Sequence, residues 1–245
     1  MDNGLPRLEV CLSPALLHLY DTNDSVVVII DVFRATSTIA AALYNGAKSV
    51  VPVATVEECI ELGRSTENSI TAGERNGRVV EGLEYGNSPS EYSRDFVAGK
   101  TLVLTTTNGT RLLHMVKGAS AIITGSFLNL SAVCDFLVKS NKNVLLGCAA
   151  WKDRYNLEDS LFAGAVVSKI ADKFNINCDS AIACKTLHNN LQGEAPIEFL
   201  RGSSHYRRLS AYGLESDMEY CATVDKHPVV PYLHNGKLMN YDSIK

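Results

Sequence analysis

Residues 28–38 read VIIDVFRATST, and the change of character inside that stretch decides the fold. Val26–Ile30 is a run of β-branched apolar residues of the kind that forms a strand covered on both faces. It ends on Asp31, and by residue 38 the chain has added an arginine and three hydroxyls before the alanine-rich helical stretch Ile39–Tyr44. Asn45-Gly46-Ala47 then leads into a second apolar run, Ser49–Ala54. Strand, polar loop, helix and strand in succession form the unit of an α/β fold.

Two further segments repeat this grammar. TLVLTTTNGTR (101–111) reads as a strand ending near Leu104 and a polar loop Thr105–Thr110, followed after a short helical stretch by Gly118-Ala119 and the run AIITG. GAKSVVPV (46–53) aligns with GASAIITG (118–125), which suggests an internal duplication of units near 26–54 and 101–126. NVLLGCA (143–149) is a third strand, leading through WKDRYN into the amphipathic helix LEDSLFAGAVVSKI (157–170). The expected architecture is a three-layer α/β/α arrangement around a largely parallel or mixed sheet, with ligands bound outside the carboxyl ends of strands. In the C-terminal third, a helix over Ser204–Tyr212 stopped by Gly213 and a strand at Cys221–Val224 are expected. No low-complexity linker interrupts residues 1–245, so one domain is expected.

Composition narrows the function classes. With 245 residues, 46% hydrophobic and 20% charged, the chain can bury a sizeable core. A net charge of −4 with scattered Lys and Arg argues against nucleic acid as a partner. The first 25 residues carry no basic region followed by an apolar one, and no apolar run has the length of a membrane span, so a cytoplasmic protein is expected. Seven cysteines without a C-x-x-C pair suit reduced, buried thiols rather than a disulfide framework or zinc. The chain contains no H-E-x-x-H, P-loop or G-x-S-x-G motif.

Loop Asp31–Thr38 offers a carboxylate, a guanidinium and hydroxyls at a helix start, where free N–H groups favour an anion. A carboxylate beside a bound anion calls for a cation between them, which suits a divalent metal and a phosphate. The blander alternative makes Asp31 or a hydroxyl an N-cap and Arg34 a surface ion pair. Thr105–Arg111 is a second loop of the same kind, with Gly109 permitting close backbone approach. Between them TAGERNGRVVEGLEYGNSPSEY (71–92) reads as a long loop carrying Glu74, Arg75 and Arg78, either functional or a turn with an exposed ion pair. Glu158 and Asp159 fall in the first turn of a helix, where the dipole alone favours acids; facing the same cleft as Asp31, they would complete an oxygen-rich site suited to Mg²⁺. His205, beside Arg207 and Arg208, reads as a partly exposed helix-face histidine.

DVFRATSTI, AGERNG, GNSPSEY, LTTTNGTR, GSFLN and LEDSLFAGA, in this order over about residues 8–235, resemble the 2-phosphosulfolactate phosphatases associated with coenzyme M biosynthesis. The resemblance implies a Mg²⁺-dependent hydrolase that converts (2R)-2-phospho-3-sulfolactate to 3-sulfolactate and inorganic phosphate. It implies catalytic roles for Asp31, Glu74 and Glu158 and a metal held by Asp31 and Asp159. Substrate contacts would come from Arg34, Thr36, Ser37, Arg75, Asn108, Thr110 and Arg111, while Asn87 and Ser88 match a further motif. The expected partner is a small dissolved substrate, without nucleic acid or membrane, and the expected assembly is a homodimer. The sequence departs from the family's pattern at AAWKDRYN (149–156), where glycines are expected, which bears on substrate range. A phosphatase of another small acidic phosphoester and a non-catalytic binder of an organic anion share the same loops. Haloacid-dehalogenase phosphatases also place an aspartate at a strand end, but Phe33 stands where their D-x-D has its second acid.

Overall fold

In the computed structural model, which describes residues 4–75, 77–106, 112–113, 115–116 and 118–245, the run ahead of Asp31 is strand β2, an inner strand third from one edge of a mixed sheet. The strands are β1 (Leu8–Cys11), β2 (Ser25–Ile30), β3 (Ser49–Val53), β4 (Ser69–Arg75), β5 (Arg78–Val79), β6 (Thr101–Thr105), β7 (Ala121–Gly125), β8 (Asn143–Cys148), β9 (Pro231–His234) and β10 (Lys237–Asn240). Their order is β1-β8-β2-β7-β9-β10-β3-β6-β4-β5. Described helices are α1 (Ala35–Tyr44), α2 (Val56–Ser65), α3 (Arg94–Val97), α4 (Leu130–Ser140), α5 (Leu157–Ile170), α6 (Asp179–Asn189), α7 (Pro196–Leu200), α8 (Ser204–Ser210) and α9 (Glu215–Cys221).

Strand β2 is buried along its whole length because both its faces are covered. Val26, Val28 and Ile30 pack with Val133 and Leu137 of α4 and Leu161 of α5. Val27 and Ile29 point the other way, toward Ile39 and Leu43 of α1 and Leu104 of β6. The two-residue period of a strand thus divides one apolar run between two cores, giving the expected helix–sheet–helix layering. Helix α5 also packs closely on α6: a Cβ at Gly164 would fall 2.0 Å from the Cys184 carbonyl oxygen, so the crossing requires glycine there.

The sheet contains two parallel blocks, β1-β8-β2-β7 and β3-β6-β4. The antiparallel hairpin β9–β10 joins them through the single pairs Ile123↔Tyr232 and Leu238↔Val50. Three antiparallel steps separate the blocks, so they run in opposite senses. The two segments aligned in the sequence are reciprocally paired, since β2 lies parallel to β7 and β6 parallel to β3.

Three expectations are corrected. Helix α1 begins at Ala35, so Thr36, Ser37 and Thr38 belong to its buried first turns and the loop shrinks to Asp31–Arg34. TAGER is the second half of β4, whose Ile70 and Ala72 alternate into the core, and the remaining segment turns back through the short β5. Cys221 ends a helix that buries Asp217, Met218 and Cys221 on one side; the C-terminal strands come later, as β9 and β10. A short apolar run such as Cys221–Val224 carries no period that separates a helix end from a strand. All seven cysteines are free thiols. No helix among the described residues is long and apolar enough to cross a membrane.

Candidate active site

The backbone after β2 is held by a set of local bonds. Asp31 N–H donates to Thr36 Oγ1 (3.2 Å) while Thr36 N–H donates to the Asp31 carbonyl (3.0 Å). Ser37 Oγ donates to the Val32 carbonyl (2.9 Å). Helix α1 has no side-chain cap at Arg34, so these hydroxyls close the turn from inside the helix. Val32 N–H donates to Asp159 Oδ1 (2.9 Å) and Ala150 N–H to Asp159 Oδ2 (3.4 Å), which ties the chain beyond β2 and the chain beyond β8 to the first turn of α5. Burial, followed by the charges of Glu158 and Asp31, pushes the Asp159 carboxyl well above its ordinary range.

These bonds present Asp31 to an open cleft that also receives Glu74 from the end of β4 and Thr106 from the end of β6. Glu74 Oε2 accepts from Gly77 N–H (2.8 Å). Arg34 lines the cleft too, but its guanidinium is paired with buried Asp217 and donates to the Gly77 carbonyl (3.2 Å). The other Asp217 oxygen accepts from Ser88 Oγ (2.6 Å). One carboxylate on α9 therefore fixes an arginine and a serine from two distant motifs. Asn87 borders the cleft with a buried Oδ1 that has no hydrogen-bond partner among the described residues.

Glu158 lies behind the cleft wall, fully buried, with Oε1 2.5 Å from Nδ1 of His205. The carboxylate is an acceptor, so Nδ1–H is the donor, and Nε2 has no partner among the described residues in an imidazole that borders the cleft. His205 is 7% exposed, so it is not the partly exposed helix-face residue expected. Ser203 caps α8, its Oγ accepting from Tyr206 N–H (3.0 Å), and the helix carries both His205 and Arg208 to the cleft.

The structure thus brings Asp31, Arg34, Glu74 and Asn87 to the cleft. Thr36 and Ser37 stand behind it, holding the turn. Arg75 is turned to the Glu74 carbonyl (2.7 Å) and Thr105 Oγ1 (3.1 Å). Asn108, Thr110 and Arg111 lie outside the described residues. Asp217 went unnoticed in the sequence, where it is one of many scattered acids, and only its position opposite Arg34 distinguishes it; Trp151 figured there only within the segment 149–156.

A buried carboxylate–imidazole pair and two acids converging on a cleft beside strand ends are the equipment of a hydrolase acting on a small polar ester. Comparison with known proteins narrows that class. The family profile described as 2-phosphosulpholactate phosphatase matches residues 11–236. A probable 2-phosphosulfolactate phosphatase of Thermotoga maritima is 45% identical over 209 residues, covering 85% of this chain and 89% of the relative. One from Caldanaerobacter subterraneus is 41% identical over 223 residues (88% and 90%), and one from Clostridium acetobutylicum is 36% identical over 235 residues (95% and 100%). The chain belongs to the 2-phosphosulfolactate phosphatase family, whose name places it among the phosphoric monoester hydrolases.

Proposed function

We propose that this protein hydrolyses (2R)-2-phospho-3-sulfolactate to 3-sulfolactate and inorganic phosphate, with Mg²⁺, in the cleft headed by Asp31. The observation that carries the reading is the meeting of Asp31, Glu74 and His205 in one cleft at the ends of β2, β4 and α8. In this proposal Asp31 is the carboxylate at the phosphoryl group. As an imidazolium, with Nδ1–H held by Glu158, His205 would give its Nε2 proton to the departing oxygen and be left neutral. That donation matters because the leaving group is a secondary alkoxide, a strong base that departs readily only when protonated. Arg34, steadied by Asp217, adds positive charge along the wall.

The residues fit a hard cation. Asp31, Glu74 and Thr106 supply oxygens to the cleft, and the orphaned Asn87 Oδ1 is an acceptor with a lone pair to spare. Asp159 stands close enough to Asp31 for the two charges to oppose each other, a repulsion that a divalent ion relieves. Among the described residues no three His, Cys, Asp or Glu side chains gather as a closed cage. In this reading the ion would take one or two carboxylates and keep waters and substrate oxygens as its other ligands, as Mg²⁺ does. When bound, the ion supplies charge neutralisation on the phosphoryl oxygens. The same reading takes the protein as cytoplasmic and homodimeric.

Phosphate release from a panel of monoesters, with Mg²⁺ and with excess EDTA, tests the proposal. Phosphosulfolactate should be the best substrate and EDTA should abolish its turnover. Preference for a monoester without sulfonate would reassign the substrate, and full activity in EDTA would remove the metal.

A further inference from the structure

Two arginines border the cleft among the described residues, and they differ in what they have left to offer. Arg34 is spent on Asp217 and the Gly77 carbonyl. Arg208 lies with its guanidinium carbon 3.9 Å from the centre of the Trp151 ring and makes no hydrogen bond or ion pair among the described residues. Lys152 approaches the same indole, its Nζ 4.7 Å from the ring centre, so the tryptophan is a platform for two cations. Stacking uses the flat face of a guanidinium and leaves its N–H edge free in the plane. A half-buried guanidinium with an idle fork is matched by an oxyanion that accepts two of its hydrogen bonds.

We infer that Arg208, held flat on Trp151, is the subsite for the substrate's sulfonate. The inference rests on the phosphosulfolactate reading and assigns one of that substrate's three anionic groups. The geometry of α8 selects the sulfonate over the carboxylate. His205 and Arg208 are three residues apart on the same helix, which puts their side-chain bases about 5–6 Å apart. With His205 at the bridging oxygen, the group that reaches Arg208 is the one on the longer arm. That is the sulfonate on C3, one carbon further out than the carboxylate borne by C2 itself.

Calorimetric binding of 3-sulfolactate, lactate and inorganic phosphate to the wild-type protein, Arg208→Met, Arg208→Lys and Trp151→Leu tests the assignment, with circular dichroism as the check on folding. Wild type should bind 3-sulfolactate more tightly than lactate. Arg208→Met should weaken 3-sulfolactate at least tenfold while leaving lactate and phosphate within about twofold, and Arg208→Lys should fall between, since lysine keeps charge without the fork. If Arg208→Met fails to fold, Arg208→Lys and Trp151→Leu carry the same comparison. Equal weakening of phosphate and 3-sulfolactate, no weakening, or a wild type that does not prefer 3-sulfolactate to lactate would overturn the subsite. A protein that binds 3-sulfolactate through Arg208 yet releases phosphate from no monoester would sink the hydrolytic reading and leave the subsite standing.

Discussion

Asp217 shows how much of this site depends on a residue that does not touch the substrate space. It is buried between Arg34 and Ser88, and removing its charge would strand the Arg34 guanidinium in a place with almost no solvent. Breaking one side of a buried pair typically costs about 3–5 kcal/mol. Asp217→Asn, which keeps the shape and one acceptor, should therefore lower unfolding stability by at least about 2 kcal/mol in denaturant titration. A loss under about 0.5 kcal/mol, the scale of ordinary surface changes, would mean that Arg34 finds another partner. His205 makes a different prediction because its proposed task is to protonate a leaving group. His205→Asn should reduce turnover of an alkyl phosphate by about 10²-fold or more but barely affect p-nitrophenyl phosphate, whose leaving group departs as the anion. Equal losses on both esters would mark His205 as structural. Asp31 stood out in the sequence because an acid at the end of an apolar strand contrasts with its surroundings, and Glu74 because it lay in a long segment carrying both acids and arginines. His205, Asp217 and Arg208 were not, since local spacing cannot distinguish a cleft-facing helical residue from one facing solvent.

At the scale of elements, β2, β3, β6, β7, β8 and α5 could be read from apolar runs and periodicity, and α5 has the bounds the sequence suggested. What escaped was hidden by mixed composition. The threonines and serine opening α1 look like loop, yet they close the turn through the Asp31 and Val32 backbone. The β9–β10 hairpin is short and half exposed, with no strong alternation, although it alone links the two parallel blocks among the described strands. His227 lies just ahead of that hairpin, stacked on Tyr44 with ring centres 4.6 Å apart and bonded through Nε2 to the Tyr220 hydroxyl (2.7 Å). Its Nδ1 is buried without a partner among the described residues, and burial, with Lys226 beside it, lowers its pKa from 6.5 to about 4. A depressed histidine stabilises the fold above its ordinary pKa, and that contribution disappears as pH falls toward the folded value. Between pH 6.5 and 4 the protein should lose no more than about 3 kcal/mol from this group. His227→Gln should flatten that part of a stability–pH profile measured by denaturant midpoints. An unchanged slope in the variant would remove His227 as the cause.

Across the whole molecule, two parallel blocks of opposite sense are joined so that the chain beyond β2 and the chain beyond β6 reach one cleft, although their strands point in opposite directions. Sequence could suggest two similar strand–loop–helix segments. It could not show that each segment starts in one block and finishes in the other, because pairing partners 95 residues apart in β2–β7 and 52 apart in β3–β6 leave no local trace. Packing places Asp31 at the head of this arrangement, and the claim that it works on phosphorus is the centre of the account. Asp31→Asn leaves the backbone bonds to Thr36 available and changes only the charge, so the variant should fold with the wild-type circular dichroism spectrum. Its kcat for phosphosulfolactate should fall by roughly three or more orders of magnitude, the scale of losing a central catalytic group. A folded Asp31→Asn protein that keeps more than about a tenth of wild-type turnover, a barrier change under roughly 1.4 kcal/mol, would contradict the account.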